Sequence, residues 1–217
     1  MKVINLGQTN SILNKFVAEL RDKTVQKDSL RFRRNLERIG EIFAYEISKT
    51  LSYEEKEVTT PLGIANCMLP QDELVISTIL RAGLPVHNGM LNFFDNSQNA
   101  FVAPYRKYGK DNKFSIHIEY AIAPKMEGKT LIITDTMMAT GSSMVLAYNK
   151  LCELGEPAHT HIVCPVASEF SLGYLSKNLP HKKVTLWVAA IDEELTNKSY
   201  IVPGIGDAGD LAYGLKL

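Results

Sequence analysis

The stretch at residues 131–143, LIITDTMMATGSS, constrains the fold more than any other part of the sequence. An apolar run with the length of a buried strand ends on Asp135, and apolar residues recur at helical spacing over residues 142–155. A short loop joins the two patterns. A buried strand that passes directly into a helix is typical of an α/β protein with a parallel sheet.

The same alternation of strand and helix runs through the middle and C-terminal parts of the chain. It predicts an α/β fold with a mainly parallel central sheet that is flanked by helices on both faces. Ligands of such sheets bind at the carboxyl ends of the strands. The predicted strands cover residues 73–80, 130–135, 159–167 and 182–192, and the predicted helices cover residues 82–94, 142–155 and 168–178.

Further elements extend this core at both ends. Two amphipathic helices are predicted near the N-terminus, and Pro85 is expected in the first turn of the helix at 82–94. The glycine-rich stretch at 200–214 is predicted to be a loop. The N-terminal helices cover residues 9–22 and 28–51, with Thr9 or Asn10 and Asp28 or Ser29 as N-caps.

Three more elements are predicted from turn residues. Pro61 is expected to stop a strand at residues 57–63, and Gly155 is expected to be the C-cap of the helix that begins at residue 142. Residues 100–108 and 113–123 predict two strands, and the polar link at 109–113 suggests that they form a hairpin.

The composition is that of a globular protein without a charge bias. Lys and Arg total 24, and Asp and Glu also total 24, so the zero net charge gives no support for binding nucleic acid or an anionic membrane. No run approaches the length of a membrane span, and no apolar signal core is found. Cys67, Cys152 and Cys164 form no CxxC pair and are predicted to be buried free thiols, which favours a cytoplasmic location.

The loop after Asp135 has the chemistry of a sugar-phosphate site. Gly141 allows close approach of the backbone, Thr140, Ser142 and Ser143 add hydroxyl donors, and the start of a helix favours an anion. The carboxylate of Asp135 suits sugar hydroxyls or a hydrated cation rather than the phosphate itself. GxxxxGK[ST] and GxGxxG are absent here. An ordinary turn with Asp, Ser and Thr as caps is the alternative.

The sequence resembles the uracil phosphoribosyltransferase family of type I phosphoribosyltransferases. IITDTMMATGSS is similar to the family's motif for phosphoribosyl diphosphate (PRPP), and ILRAGLPVHNGML and YIVPGIGDAGDLAYG are similar to two further family segments. FRRNLERIGEIFAYE, TPLG and WVAAIDEELTNKSYIVPG follow the family's order as well. The resemblance covers nearly the whole chain and implies one domain at 1–217, with an N-terminal helical arm at 1–52 and a base-binding tail, or hood, at 195–217.

The resemblance also implies a reaction and its site. Ribose 5-phosphate is transferred from PRPP to N1 of uracil, giving UMP and diphosphate, with Mg²⁺ bound through PRPP and no direct protein ligand. Arg81, Arg106 and Asp207 are the implied catalytic residues. The implied PRPP site comprises those three with Asp135, Thr136, Met137, Met138, Ala139, Thr140, Gly141, Ser142 and Ser143, and the implied uracil site comprises Ile201, Gly206, Asp207 and Ala208.

The residue types agree with these roles, although each has a plainer explanation. Arginine pairs bidentately with phosphate oxygens, but Arg81 and Arg106 could also form surface ion pairs. Exposed backbone groups in the glycine-rich tail could read the alternating carbonyl and N–H groups of uracil and reject cytosine. Asp207 and Asp210 could equally be turn residues in an ordinary loop.

The chain departs from the family pattern in two places. The family loop reads close to DPMLATGGS, so Thr136 replaces Pro, Met138 replaces Leu and Ser142 replaces the second Gly. Ser142 requires a backbone conformation that is not restricted to glycine. The stretch at 107–123 lacks the acidic residues that usually follow the Tyr-Arg pair.

Other functions stay open from the sequence alone. A transferase for another base, and a regulatory protein that binds nucleotides or RNA without turnover, are the alternatives. The resemblance implies at least a homodimer with the two N-terminal helices at the contact. It leaves open whether GTP or another nucleotide regulates the protein.

Overall fold

A computed structural model describes residues 1–108 and 114–215, with side chains for all of these except residues 106–108, 114–117 and 119. The predicted polar link at 109–113 lies outside the described residues. The described chain has twelve strands and six α-helices. The strands are β1 (Lys2–Asn5), β2 (Tyr53–Thr60), β3 (Gly63–Pro70), β4 (Leu74–Ile79), β5 (Gln98–Tyr108), β6 (Phe114–Ile122), β7 (Thr130–Thr134), β8 (Met137–Met138), β9 (His159–Ser168), β10 (Val184–Asp192), β11 (Glu194–Leu195) and β12 (Ile201–Val202). The helices are α1 (Ile12–Arg21), α2 (Ser29–Ser48), α3 (Leu84–Leu91), α4 (Ser142–Cys152), α5 (Glu169–Asn178) and α6 (Ala208–Tyr213).

The central sheet has the predicted, mainly parallel arrangement. Its strands lie in the order β1-β10-β9-β7-β4-β5-β6, with β8 added beside β9. Each neighbouring pair is parallel except β5 and β6, which form the predicted antiparallel hairpin. The predicted α/β fold is therefore confirmed.

Alternate residues of the inner strands pack on opposite faces of the sheet. In β7, Ile132 belongs to the hydrophobic cluster formed with α1, α2 and α3, whereas Leu131 and Ile133 belong to the cluster formed with α4 and α5. Successive side chains of a strand point to opposite faces of the sheet. A strand whose two faces are both covered by helices is therefore almost continuously apolar.

The helix ends show which capping predictions hold. The side chain of Asp28 accepts a hydrogen bond from the Arg31 amide at the start of α2, so this N-cap is confirmed. The predicted N-cap of α1 at Thr9 or Asn10 is wrong, because Ser11 accepts from the Leu13 amide. The C-cap predicted at Gly155 is also wrong, since α4 ends at Cys152.

A β-hairpin replaces the single strand that was predicted around Pro61. β2 and β3 pair antiparallel over their whole length, and the turn at 61–62 joins them. Leu62, Ile64 and Met68 are exposed, so the hairpin lacks the buried face that would give an alternating pattern.

Short elements occupy both ends of the chain. β1 pairs with β10 at the edge of the sheet, although no strand was predicted there. The stretch predicted to be a loop contains β12, which pairs with β11, and the six-residue α6. Within the described residues, no helix combines the length and hydrophobicity that a membrane span requires.

Candidate active site

The loop that follows β7 is fixed by hydrogen bonds at its start. The Asp135 amide donates to the Val163 carbonyl at 3.0 Å, and the Thr136 amide donates to Asp135 Oδ1 at 2.7 Å. The hydroxyl of Thr136 donates to the Ala82 carbonyl, in the loop that follows β4. Thr136 is fully buried, so its side chain joins two loops from within the protein.

The loop ends at the first turn of α4, where the N-cap residue makes no side-chain hydrogen bond. Gly141 is the N-cap with φ of +79°, and its missing side chain leaves room for Leu175 and Ser171. Because this N-cap has no side chain, Gly141 supplies no capping oxygen to the first amides of α4, and the Ser142 amide makes only a long contact of 3.4 Å with Thr140 Oγ1. Ser142 is the first residue of α4, so its conformation does not require glycine.

Hydroxyl groups collect at the same helix end. Thr140 Oγ1 and Ser142 Oγ lie 2.7 Å apart, and Ser143 lines the cavity beside Thr140. The alternative of an ordinary capped turn predicts a side-chain cap on α4, which Gly141 does not supply. The arrangement therefore favours an anion site over a plain turn.

Asp135 carries the most perturbed carboxyl group in the cavity wall. Burial raises its pKa to about 7, while hydrogen bonds from the amides of Thr136 and Met137 act in the opposite direction. A carboxyl group with this pKa exchanges its proton near neutral pH. A ligand that offers hydroxyl donors or positive charge would stabilise the ionised form of this carboxyl group.

Arg81 reaches across the cavity to the C-terminal tail. It follows β4 through a cis peptide bond with Leu80, and its Nη2 donates to the Gly214 carbonyl at 3.2 Å. The same nitrogen lies 3.5 Å from Asp210 Oδ1, and the side chain remains 45% exposed. Arg81 is therefore accessible to a ligand while it also contacts the tail.

The tail turns sharply before α6. The Val202–Pro203 bond is cis, and Gly204 and Gly206 both have positive φ. Asp207 is the N-cap of α6, and its Oδ1 accepts from the Asp210 amide at 3.2 Å. Asp207 thus caps a helix that was not predicted, and its position in the cavity wall allows a further role.

One cavity of about 920 Å³ brings these segments together at the carboxyl ends of β4 and β7. Thr136, Ser142, Ile201 and Gly206 lie outside its lining, and the side chain of Arg106 lies outside the described residues. The predicted site residues that line it are Arg81, Asp135, Met137, Met138, Ala139, Thr140, Gly141, Ser143, Asp207 and Ala208.

Eleven of the lining residues were not among the predicted site residues, and three of these are consecutive in one loop. Lys198, Ser199 and Tyr200 belong to the loop between β11 and β12 and face the same cavity. Ser199 has φ of +61°, which is uncommon for a residue other than glycine. Their only sequence signal is a polar and aromatic triplet directly before Ile201, and such triplets are common in surface loops.

The described residues hold no group of three or more His, Cys, Asp or Glu side chains arranged for a metal ion. Asp135 and Asp207 both line the cavity, so it offers two separate carboxylates. This donor set fits Mg²⁺ that arrives on substrate phosphates, because Mg²⁺ keeps several waters and uses one or two carboxylates in such sites.

Comparison with known proteins identifies the family. The family model described as "Uracil phosphoribosyltransferase" matches residues 8–214. The chain belongs to the uracil phosphoribosyltransferase family. A uracil phosphoribosyltransferase from Porphyromonas gingivalis is 56% identical over the full length of both chains, and one from Pyrococcus furiosus is 36% identical over 91% of this chain and 84% of its own.

Two solved structures share the fold. The AQ2163 protein from Aquifex aeolicus is 29% identical, with a TM-score of 0.86 over 99% of each chain. A hypoxanthine phosphoribosyltransferase from Staphylococcus aureus is 12% identical with a TM-score of 0.50, and it covers 75% of this chain and 76% of its own. The second likeness shows the fold alone. The family model and the relatives therefore confirm the resemblance that the sequence analysis gave.

Proposed function

We propose that this protein transfers ribose 5-phosphate from PRPP to N1 of uracil and releases UMP and diphosphate. The observation that carries the proposal is the single cavity shared by the loop at 135–143, Arg81 and the tail around Asp207. Membership of the uracil phosphoribosyltransferase family supports the same reaction.

PRPP is assigned to the wall formed by the β7–α4 loop. The open amides and hydroxyls at the start of α4 suit the 5-phosphate, and Asp135 suits the ribose hydroxyls. Arg81 suits the diphosphate, because a guanidinium group can bind two phosphate oxygens at once. Arg106 is assigned to the diphosphate by family resemblance. The full proposed PRPP set is Arg81, Arg106, Asp135, Thr136, Met137, Met138, Ala139, Thr140, Gly141, Ser142, Ser143 and Asp207.

Uracil is assigned to the tail on the opposite wall. Ile201, Gly206, Asp207 and Ala208 form the proposed base site, and Asp207 and Ala208 line the cavity. Backbone N–H and carbonyl groups in this tail would pair with the edge of uracil. Cytosine would present its amino group to a donor and leave buried polar groups unpaired.

The reaction breaks the bond between the anomeric carbon and the diphosphate oxygen and forms a bond to uracil N1. Positive charge develops on the ribose, as in glycoside chemistry, so positioning and charge stabilisation matter more than a strong base. Arg81 and Arg106 would stabilise the departing diphosphate, and Asp207 would orient the base as N1 loses its proton. Mg²⁺ bound through PRPP would supply further positive charge beside the phosphates, and Asp135 and Asp207 would be the carboxylates available to it in the cavity.

A homo-oligomer in the cytoplasm is the proposed working form. Ile12, Leu30 and Tyr45 are exposed on α1 and α2, which supports a contact between copies through the N-terminal helical arm at 1–52. The three free cysteines fit a reducing compartment. The division of a single domain into this arm, the sheet and the base-binding tail at 195–217 is part of the same proposal.

The test measures UMP formation from PRPP and Mg²⁺ with uracil, and nucleotide formation with cytosine, adenine and hypoxanthine. We expect product with uracil alone. Asp207→Asn, which keeps an oxygen for the N-cap of α6, should retain the fold and lose most of the activity. Product with another base instead would favour a transferase of different specificity. PRPP binding without product from any base would overturn the proposal and favour a regulatory protein.

A further inference from the structure

A bidentate ion pair lies behind the tail, outside the cavity lining in the described part of the chain. Arg21 is the last residue of α1, and Asp192 is the last residue of β10. Arg21 Nη2 lies 2.7 Å from Asp192 Oδ1, and Nη1 lies 2.9 Å from Oδ2. Asp192 is nearly fully buried and Arg21 is mostly buried, with side-chain exposures of 7% and 24%.

Both members of this pair also hold the backbone of Gly204. The Gly204 amide donates to Asp192 Oδ2 at 2.9 Å, and the Gly204 carbonyl accepts from Arg21 Nη1 at 3.0 Å. The amide and carbonyl of one residue are thus bound by the two halves of one ion pair. This arrangement fixes both the position and the direction of the chain at Gly204.

Gly204 lies at the point where the tail changes direction. Its φ is +58°, and a Cβ atom at this position would lie 2.2 Å from the Ile201 carbonyl oxygen. The next residues are Ile205, which is buried, and Gly206, which has positive φ. Asp207 and Ala208 follow directly and enter the cavity wall. The direction of the chain at Gly204 therefore determines where these two residues lie.

A buried ion pair is a weak source of net stability, because desolvation of both charges offsets their attraction. It is effective at specifying one geometry, since either partner left alone would be an unpaired buried charge. Here the specified geometry includes the Gly204 peptide as a third partner. Holding this backbone in one place is therefore a better account of the pair than stability alone.

We propose that Arg21 and Asp192 are positioning residues for the base, acting through the Gly204 backbone on Asp207 and Ala208. This inference rests on the proposed function, in which the tail binds uracil. The pair contacts the tail directly at Gly204, whereas it reaches the β7–α4 loop through Ser168, which is the strand partner of Asp192 and donates to the Ala139 carbonyl. Its loss should therefore weaken recognition of uracil more than recognition of PRPP.

Steady-state kinetics of Asp192→Asn and Arg21→Met provide the first test. We expect the KM for uracil to rise about tenfold or more, because small displacements of positioning groups have large effects. The KM for PRPP should rise by a smaller factor, because Asp207 is the one residue of the proposed PRPP set that lies in the displaced segment. Arg21→Lys keeps the charge but loses the planar fork, so it should fall between wild type and Arg21→Met.

Arg31→Met is the matched control. Arg31, on α2, forms a bidentate pair with Glu19, on the same helix α1 as Arg21, with nitrogen–oxygen distances of 2.9 and 2.8 Å. Its loss should reduce stability without changing the KM for uracil. Equal rises of both KM values, or a uracil KM as unaffected as in Arg31→Met, would overturn the positioning role.

Hydrogen–deuterium exchange separates this inference from the proposed reaction. In Asp192→Asn, amides of residues 201–208 should exchange faster, while amides of residues 135–143 should keep their wild-type rates. Wild-type protein that makes no UMP would defeat the proposed function, and the exchange result would still report on the tail. Unchanged exchange at 201–208 would defeat the positioning inference even if the enzyme is active.

Discussion

The hydroxyl of Thr136 donates a hydrogen bond to the backbone carbonyl of Ala82, 54 residues earlier in the chain. The two residues lie in the loops that follow β7 and β4, and these loops form adjacent parts of the cavity wall. Thr134 continues the connection within the sheet, because its hydroxyl donates to the Ser77 carbonyl at 3.1 Å. Thr136 stands where the family pattern has proline, and the contact gives this threonine a structural role.

Replacing Thr136 with valine keeps the shape of the side chain and removes the donor. The part-buried Ala82 carbonyl would lose its partner, so the free energy of unfolding should fall by about 1 kcal/mol. The loop should also lose its register with Arg81, and we expect the KM for PRPP to rise more than the KM for uracil. Chemical denaturation and steady-state kinetics measure the two effects. Thr59→Val, on the exposed hairpin, is the control and should change neither the free energy of unfolding nor the KM for PRPP. The prediction would be contradicted if Thr136→Val behaved like this control.

Gly141→Ala tests the geometry at the start of α4. The substitution places a side chain at φ of +79°, and its Cβ atom would lie 2.6 Å from Leu175 Cδ1. Strain of this kind costs about 1–3 kcal/mol, so the melting temperature and PRPP affinity should both fall. Gly173→Ala is the control, because Gly173 lies in α5 with no atom within 4 Å of an added Cβ. This control should stabilise the protein by up to about 1 kcal/mol. Equal effects at the two glycines would show that the Gly141 conformation is unimportant.

Most helices and the inner strands were predictable from the sequence, because the spacing of their apolar residues reflects which faces are buried. The inner strand β7 is apolar throughout, since helices cover both of its faces. Asp28 and Pro85 mark helix starts through local chemistry that needs no tertiary contact. These features determine the α/β fold and the order of its elements.

Elements without such a signal were missed. The β2–β3 hairpin exposes apolar residues such as Leu62 and Ile64, so neither strand has a buried period of two. β1 has four residues and depends on pairing with β10, far away in the sequence. The six-residue α6 is too short for helical periodicity to distinguish it from a glycine-rich loop.

The candidate site also has one part that could be predicted from the sequence and another that could not. The loop at 135–143 was predictable because its strand, glycine and hydroxyl residues are contiguous. The position of Lys198 beside Asp207 depends on the β11–β12 hairpin, and the contact between Arg81 and Gly214 joins residues 133 positions apart. Contacts of this length arise from the tertiary fold and leave no local pattern.

The raised pKa of Asp135 predicts how stability depends on pH. The folded protein holds this proton up to a pKa of about 7, whereas the unfolded carboxyl releases it near its ordinary pKa of 3.8. Between these values the folded state binds more protons, so the contribution of Asp135 to stability falls as pH rises from about 4 to 7. Above that range the contribution is constant and unfavourable.

Asp135→Asn isolates this effect, because asparagine has a similar shape and no charge. At pH 4 or below the two proteins should have similar melting temperatures, and at pH 8 the variant should be the more stable. Calorimetry across this range, without ligand, measures the difference between the two proteins and cancels the titration of all other groups. A difference that does not change with pH would contradict the pKa shift.

The contact of Arg81 with the tail predicts competition for its guanidinium group. Nη2 lies 3.2 Å from the Gly214 carbonyl and 3.5 Å from Asp210 Oδ1, so a diphosphate at Arg81 must compete with a nearby carboxylate. Asp210→Asn removes that negative charge. We expect PRPP to bind up to about fivefold more tightly, which is the effect of one exposed ion pair. Arg81→Lys should weaken binding about tenfold or more, because lysine lacks the bidentate fork.

Isothermal titration of PRPP with Mg²⁺ measures these affinities directly. Asp95→Asn, an exposed acid outside the cavity lining, is the charge-matched control and should leave the affinity unchanged. The gain in Asp210→Asn should shrink as salt is added, since exposed charges are screened over about 10 Å at 0.1 M ionic strength. Weaker PRPP binding in Asp210→Asn would mean that Asp210 supports the ligand, and the competition between the tail and the diphosphate would then be wrong.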